Sequence, residues 1–428
     1  MHLHAPDHAL EMAAGMAGLW LLRGYLREGS NWLERALDAA PAATLARAEA
    51  LHARQALDRR RPDTYDFADQ LCEERVAIHH LRGDLRGECL ALLDLTDGHL
   101  LGGRFAAAAD MPARAAEMAV VLGEAGLEAA AHERAGIAAA WRNDFELAAP
   151  AFDEAMRLCE SAPRDAPPSS AVVSLACFLG GTSQPSTYPV IRFEETGLHF
   201  RRLPPSAARA SLLSHRAYLE RSRGRFEEAR RDLELGLDIA ERAGAQLDAA
   251  RLAAQRGCLE ADAGDLDAAR SWLERSLAQR RLLREHRGIL LTLTNLAVVA
   301  AYGEDSVQSG ALLADAGRMA REAVDGPGMG AVELARAEIA RRAGEPQSAH
   351  DALEQAIELF YARAALFHQL GWLRVQQAYL SLDSGDLAAA EREVAAARRL
   401  FDDCDIPLGA EYCTAIDDRL RAANAALT

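Results

Sequence analysis

One type of turn recurs along this 428-residue chain at a spacing of about forty residues. It is a Gly-Asp or Gly-Arg pair, then an apolar residue, with alanine five after the glycine. It reads Gly103-Arg104-Phe105 with Ala108, Asn143-Asp144-Phe145 with Ala148, Gly224-Arg225-Phe226 with Ala229, Gly264-Asp265-Leu266 with Ala269, Gly344-Glu345 with Ala349, and Gly385-Asp386-Leu387 with Ala390. A fixed period of this size marks stacked supersecondary units, none of which can bury its apolar face alone, and argues against a globular catalytic core. The expectation is an all-α solenoid of about ten helix pairs wound into a superhelix.

Each unit repeats one internal logic. A small residue stands seven before the turn glycine, alanine five after it, an apolar residue four later and another small residue three beyond. In one unit these are Ala217, Gly224, Ala229, Leu233 and Gly236, and in the next Gly257, Gly264, Ala269, Leu273 and Ser276. Small side chains let two antiparallel helices approach closely while the larger apolar ones fill the seam, and glycine gives the corner its backbone freedom. Composition agrees, with half the residues hydrophobic but only 6% aromatic. Such a profile favours long helices, and strands are not expected.

Several function classes are excluded early. The seven cysteines lie singly with no C-x-x-C pair, so neither a disulfide framework nor a zinc site is indicated, and a reducing, cytoplasmic setting is expected. There is no lysine, so all 48 basic residues are arginine, which removes the P-loop, whose phosphate contact needs lysine. The net charge of −16 argues against nucleic acid as a direct partner. Ala13 to Leu22 is apolar but lacks a basic n-region and carries helical periodicity, so neither a leader nor a membrane span is expected.

Phasing on forty places a first unit over about 10 to 41, with Gly24 at the turn and Gly29 at the alanine position, and a second over about 45 to 82. Residues 1–160 form an N-terminal half-array of four units, and 207–428 a C-terminal half-array of five units plus a capping helix near 409 to 425. Between them, 161–206 holds seven of the fifteen prolines. Proline at that density breaks helices, so an irregular excursion or hinge is expected, with a candidate first helix over Ala171 to Leu179, a candidate second over Ile191 to Arg202, and no tight turn between them.

The offsets resemble the tetratricopeptide repeat, best in the fourth unit with Gly136, Asp144, Phe145, Ala148, Phe152 and Ala155. A period of forty exceeds the usual one of about 34 and overlaps the HEAT and armadillo range, while the Gly-Asp turn and small-residue offsets favour tetratricopeptide units with lengthened helices. The stretch from Gly18 to Leu37, and the phrase from Arg280 to Ile289, are similar to the helical C-terminal region of bacterial STAND-type signalling ATPases. That resemblance implies a sensor or interaction arm of a signalling or transcription-regulation system.

No catalytic constellation can be assembled, so an enzyme is not expected. Gly326-Pro-Gly-Met-Gly330 reads as a turn joining two units, since no strand precedes it. His2, His4 and His8, with His79-His80, read as solvated helix ends and not a metal site, and no cofactor is expected. Glu227 with Arg231 and Asp238 with Arg242 are surface i,i+4 pairs. What remains is the groove. The resemblance implies that the first helix of each unit lines a concave surface, which turns inward Trp141 with Glu133, Ser214, Tyr218, Arg221, Arg251 with Asp262, Asn295, Tyr302, Arg341 with Glu338, Gln376 and Tyr379. Tyrosine, tryptophan and arginine are the types that anchor interfaces. A protein or peptide partner in that groove is the leading expectation. The alternatives are a small-molecule inducer pocket at the 163–205 break and the arm of a truncated ATPase.

Overall fold

The computed structural model describes residues 5–23, 25–58, 65–101, 104–142, 144–161, 169–171, 178–180, 190–192, 201–203, 205–322, 326–361, 367–404 and 406–427. The chain forms two compact units, Met1–Ala135 and Gly136–Thr428. The first contains α1 (Ala5–Arg23), α2 (Leu26–Ala39), α3 (Leu45–Asp58), α4 (Tyr65–Arg82), α5 (Leu85–Leu101), the short α6 (Phe105–Ala108) and α7 (Met111–Leu122), and α8 (Ala125–Trp141) runs across the boundary. The second continues with α9 (Phe145–Ser161) and four three-residue strands, β1 (Ser169–Ala171), β2 (Phe178–Gly180), β3 (Val190–Arg192) and β4 (Arg201–Leu203). Then follow α10 (Pro205–Ser222), α11 (Phe226–Arg242), α12 (Gln246–Ala263), α13 (Leu266–Leu283), α14 (His286–Tyr302), α15 (Ser306–Glu322), α16 (Gly326–Arg342), α17 (Pro346–Tyr361), α18 (Phe367–Ser384), α19 (Leu387–Cys404) and the cap α20 (Pro407–Leu427). The fold is a tetratricopeptide-like α-solenoid. Among the described residues, none of these helices is long and apolar enough to cross a membrane.

The recurring turn is a two-residue corner with a defined chemistry. Gly264 takes the left-handed conformation at φ 88° and its N–H reaches back to the last carbonyls of α12. Asp265 then starts α13, its carboxylate accepting from the Ala268 N–H at 2.9 Å. Asp386 caps α19 and Asp305 caps α15 in the same way, each at 2.9 Å. Glycine is therefore the C-terminal cap of one helix and aspartate the N-cap of the next. α12 and α13 each have eighteen residues, so the surplus over the ordinary repeat lies in the helices and the corners stay short.

The alanine five after each corner glycine is where two helices touch. Ala108, Ala148, Ala229, Ala269, Ala349 and Ala390 are all fully buried. The small residue on the facing helix is equally constrained, since a Cβ built on Gly257 would come within 2.6 Å of Leu273 Cγ and 3.1 Å of the Ala269 carbonyl oxygen. Leu233 and Leu237 of α11 and Leu252 and Leu259 of α12 fill the next seam.

Three local expectations change. Of the helices anticipated over 171–179 and 191–202, residues 172–177 and 193–200 lie outside the described residues, and the described positions are strand. β1 pairs with β4 and β2 with β3, both antiparallel, in a stretch too rich in proline for an unbroken helical ladder. Gly326 to Gly330 is no joining turn but the opening of α16, with Pro327 where a helix lacks intrahelical N–H partners anyway. Finally, Arg242 does pair with Asp238 at 2.9 Å, but Arg231 turns to Glu228 at 3.3 Å while Glu227 pairs with Arg230.

The corner between α14 and α15 departs from its neighbours. Glu304 holds the left-handed position at φ 63° where most corners have glycine, Arg284 between α13 and α14 being the other exception at φ 53°, and Ser309, in the alanine position, is buried with its Oγ unpartnered. A left-handed non-glycine residue costs about 1–2 kcal/mol, and a buried unsatisfied hydroxyl about 1–3 kcal/mol. Glu304→Gly and Ser309→Ala should therefore each raise the urea unfolding midpoint, by a gain of about 1 kcal/mol apiece. A decrease for both would show that this corner is built on other contacts.

Candidate functional site

Within the second unit, successive first helices pack on one another, α10 on α12, α12 on α14 and α14 on α16, whereas successive second helices meet less. The first helices thus form the inner wall. Ser214, Tyr218 and Arg221 lie on α10, Arg251 and Asp262 on α12, Asn295 and Tyr302 on α14, Glu338 and Arg341 on α16, and Gln376 and Tyr379 on α18. Trp141 ends α8 and its side chain lies outside the described residues. Glu133 belongs to the first unit, buried beside Arg134, whose guanidinium pairs with Asp97 at 3.2 Å.

These side chains meet across the wall, from one repeat to the next. Ser214 Oγ donates to Gln255 Oε1 at 2.7 Å, and Arg221 Nε lies 3.3 Å from Asp262 Oδ2, both contacts joining α10 to α12. The Arg221 guanidinium also stands 5.9 Å from the centre of the Tyr218 ring. Between α14 and α16, Tyr302 donates to Glu338 Oε1 at 2.7 Å. Arg341 grips the same carboxylate with two hydrogen bonds of 2.7 and 2.9 Å. Arg342 lies 4.0 Å from the Tyr302 ring centre. Burial and the adjoining Glu338 carboxylate push the Tyr302 phenol far above its ordinary range. Burial raises the Tyr379 phenol to about 12, and Arg419 of α20 stacks 5.3 Å from that ring.

Depth is what the resemblance did not convey. Ser214, Tyr218, Arg221, Arg251, Asn295 and Gln376 are all buried, and Tyr379 is wholly so, while Tyr302 and Arg341 are half-buried. Ser214, Arg221 and Tyr302 reach partners on the next first helix, whereas Arg251 and Arg341 pair with Asp248 and Glu338 of their own helices. Gln255, which sequence reasoning passed over, is the informative member. It is 4% exposed and accepts from Ser214, while its Nε2 amide has no acceptor. Its only sequence signal is an amide at the inward register of α12.

The seam behind the wall carries a second cluster. Glu260 on α12 accepts from Arg230 on α11 at 2.7 and 3.0 Å and from Arg256 at 2.5 Å, and Arg256 stacks 5.4 Å from the Trp272 ring centre. The Arg230 hydrogen bonds hold the Glu260 carboxyl below its ordinary value. In the first unit His79 and His80 pair with different carboxylates, Asp84 at 2.9 Å and Glu88 at 3.1 Å.

No protein-family model matches the chain, and no curated protein matches it. Solved structures do. A Rap protein complexed with competence and sporulation factor is similar at 12% identity and a TM-score of 0.55, over 95% of this chain and 99% of that one. The Rap conjugation gene regulator of plasmid pLS20, in complex with the Phr* peptide, is similar at 11% and 0.54, over 92% and 96%. Aspartyl phosphate phosphatase F from Bacillus subtilis is similar at 8% and 0.51, over 94% of each chain. At these identities the likeness establishes the helical-repeat fold and nothing finer.

Two outcomes follow from this geometry. Arg221→Ala removes a buried cation from beside Asp262 and should cost about 3 kcal/mol in a urea titration, the scale for breaking a buried pair; a change within experimental error would mean that this pair does not hold α10 to α12. For Glu260, a depressed carboxyl contributes stability that is fully present above its ordinary value of 4.5 and is lost as the pH falls through the lower folded-state value. Glu260→Gln should therefore destabilise the protein at neutral pH and progressively less as the pH falls below 4.5, and an effect that does not change with pH would remove the charge from the explanation.

Proposed function

We propose that the inner wall of α10 to α18 holds an extended segment of a protein or peptide, and that the chain is a non-catalytic regulatory scaffold. The observation that carries this is the polar ladder along successive first helices, in which Gln255 Nε2 is among the buried donors left without an acceptor. A buried donor costs about 1–3 kcal/mol while unpaired, so an incoming backbone carbonyl or carboxylate gains that much by reaching it. Tyr302 and Arg341, half-buried in the same wall and both held by Glu338, are of the residue types that anchor recognised segments. The pLS20 regulator, a protein of this fold, carries a peptide in its solved structure, which supports the reading.

Beyond that, the resemblance of Gly18 to Leu37 and Arg280 to Ile289 to STAND-type arms supports a sensor role in a bacterial signalling or transcription-regulation system. The net charge of −16 supports a protein or peptide over nucleic acid as the direct partner, in a cytoplasmic setting.

Truncating Tyr218 or Arg221 would confound binding with folding, because both are buried. Gln255→Met is the cleaner probe, since it keeps volume and removes a polar group that is already unsatisfied. Affinity capture with the full chain, read by mass spectrometry, should lose its enriched partner with Gln255→Met while the melting temperature holds or rises. Undiminished capture by that variant would place the partner elsewhere.

A further inference from the structure

We infer that the inner face of α16 and α18 is a docking surface for an extended segment, and that its resident occupant is the chain's own β2–β3 ribbon. This deepens the proposed function and rests on it, since the ribbon lies on the same wall. Three observations converge. First, α10 packs directly on α9: Phe152 and His215 stack at 5.9 Å between ring centres, and Arg216 reaches Asp153 at 3.3 Å. The array closes without the intervening residues, so stacking does not account for them. Second, the two strand pairs are nested. β1 and β4 pair beside α10, whereas β3 lies against α16 and β2 against α18, three and four first helices further along the wall. Third, α16 and α18 pack on each other less than α10 on α12, α12 on α14 or α14 on α16, and it is against these two helices that the ribbon lies.

Energetics agree with the placement. A lone two-stranded ribbon is marginal in water and needs a surface to cover it. The paired residues are Phe178 with Arg192, Leu179 with Ile191 and Gly180 with Val190, a set apolar but for Arg192 that gains little from pairing in solvent. Tethering at both ends supplies the ribbon at a local concentration on the order of millimolar, so any competing segment must displace it. The surface therefore suits a partner of the same kind, a short extended stretch rich in Phe, Leu, Val and Ile. It opens only to one that outcompetes the tether.

The test uses the full chain carrying Phe178→Asp, Leu179→Asp, Val190→Asp and Ile191→Asp together, which places charge on both faces of the ribbon. A second variant replaces residues 172–200 by a Gly-Ser linker of equal length. Amide hydrogen exchange in α16 and α18 should quicken about tenfold in both variants, with α12 and α13 unchanged. A fluorescein-labelled peptide of residues 176–194 should bind both variants saturably, and the unaltered chain at least about tenfold more weakly. Unchanged exchange, absent peptide binding, or equal binding to altered and unaltered chains would each overturn the inference. The peptide assay involves no cellular partner, so it fails or succeeds independently of the Gln255→Met capture experiment.

Discussion

Everything in this chain depends on how closely two helices can approach at one point, the contact of the corner alanine with the preceding helix. Where Ala269 meets α12, the facing position is Gly257, whose missing side chain leaves room for Leu273 and for the Ala269 carbonyl. Because that distance is fixed by atoms that cannot be enlarged, each pair presents the next with nearly the same surface, and stacking can continue by addition. The cap chemistry of Gly264 and Asp265 serves the same end, ending one helix and starting the next within two residues, so the pair cannot slide.

This explains what could be read from sequence. Gly264, Asp386 and Ala269 were legible because each answers to a local requirement: a left-handed φ, an N-cap acceptor or a van der Waals limit. Glu304 was not, since nothing in its own chemistry announces the left-handed conformation it takes at φ 63°. The inward register of Ser214, Arg221, Tyr302 and Arg341 followed from the resemblance, but their depth did not. Burial of these side chains depends on reach to a helix about forty residues away, which single-unit periodicity does not encode. The 162–204 segment failed for a different reason. Its prolines argued against long helices, and at its described positions strands pair instead; such pairing is non-local, so no window of sequence could supply it.

The inner wall also sets a limit on how this molecule can respond to a partner. Its polar groups are paired from one first helix to the next, Ser214 to Gln255 and Tyr302 to Glu338, so opening one part of the wall separates bonds rather than sliding apolar surfaces. Hydrogen bonds lose strength over a few tenths of an ångström, whereas apolar contact declines gradually with area. A solenoid tied in this way is stiff within its paired stretches and compliant where the ties are fewest. Between α16 and α18 the first helices pack less closely and the ribbon lies against both, so that interval is where the wall can change at least cost to its own pairing. Gln255 lies where α12 is tied to α10, by Ser214 and by the Arg221–Asp262 pair, so its amide is presented by helices already held against each other.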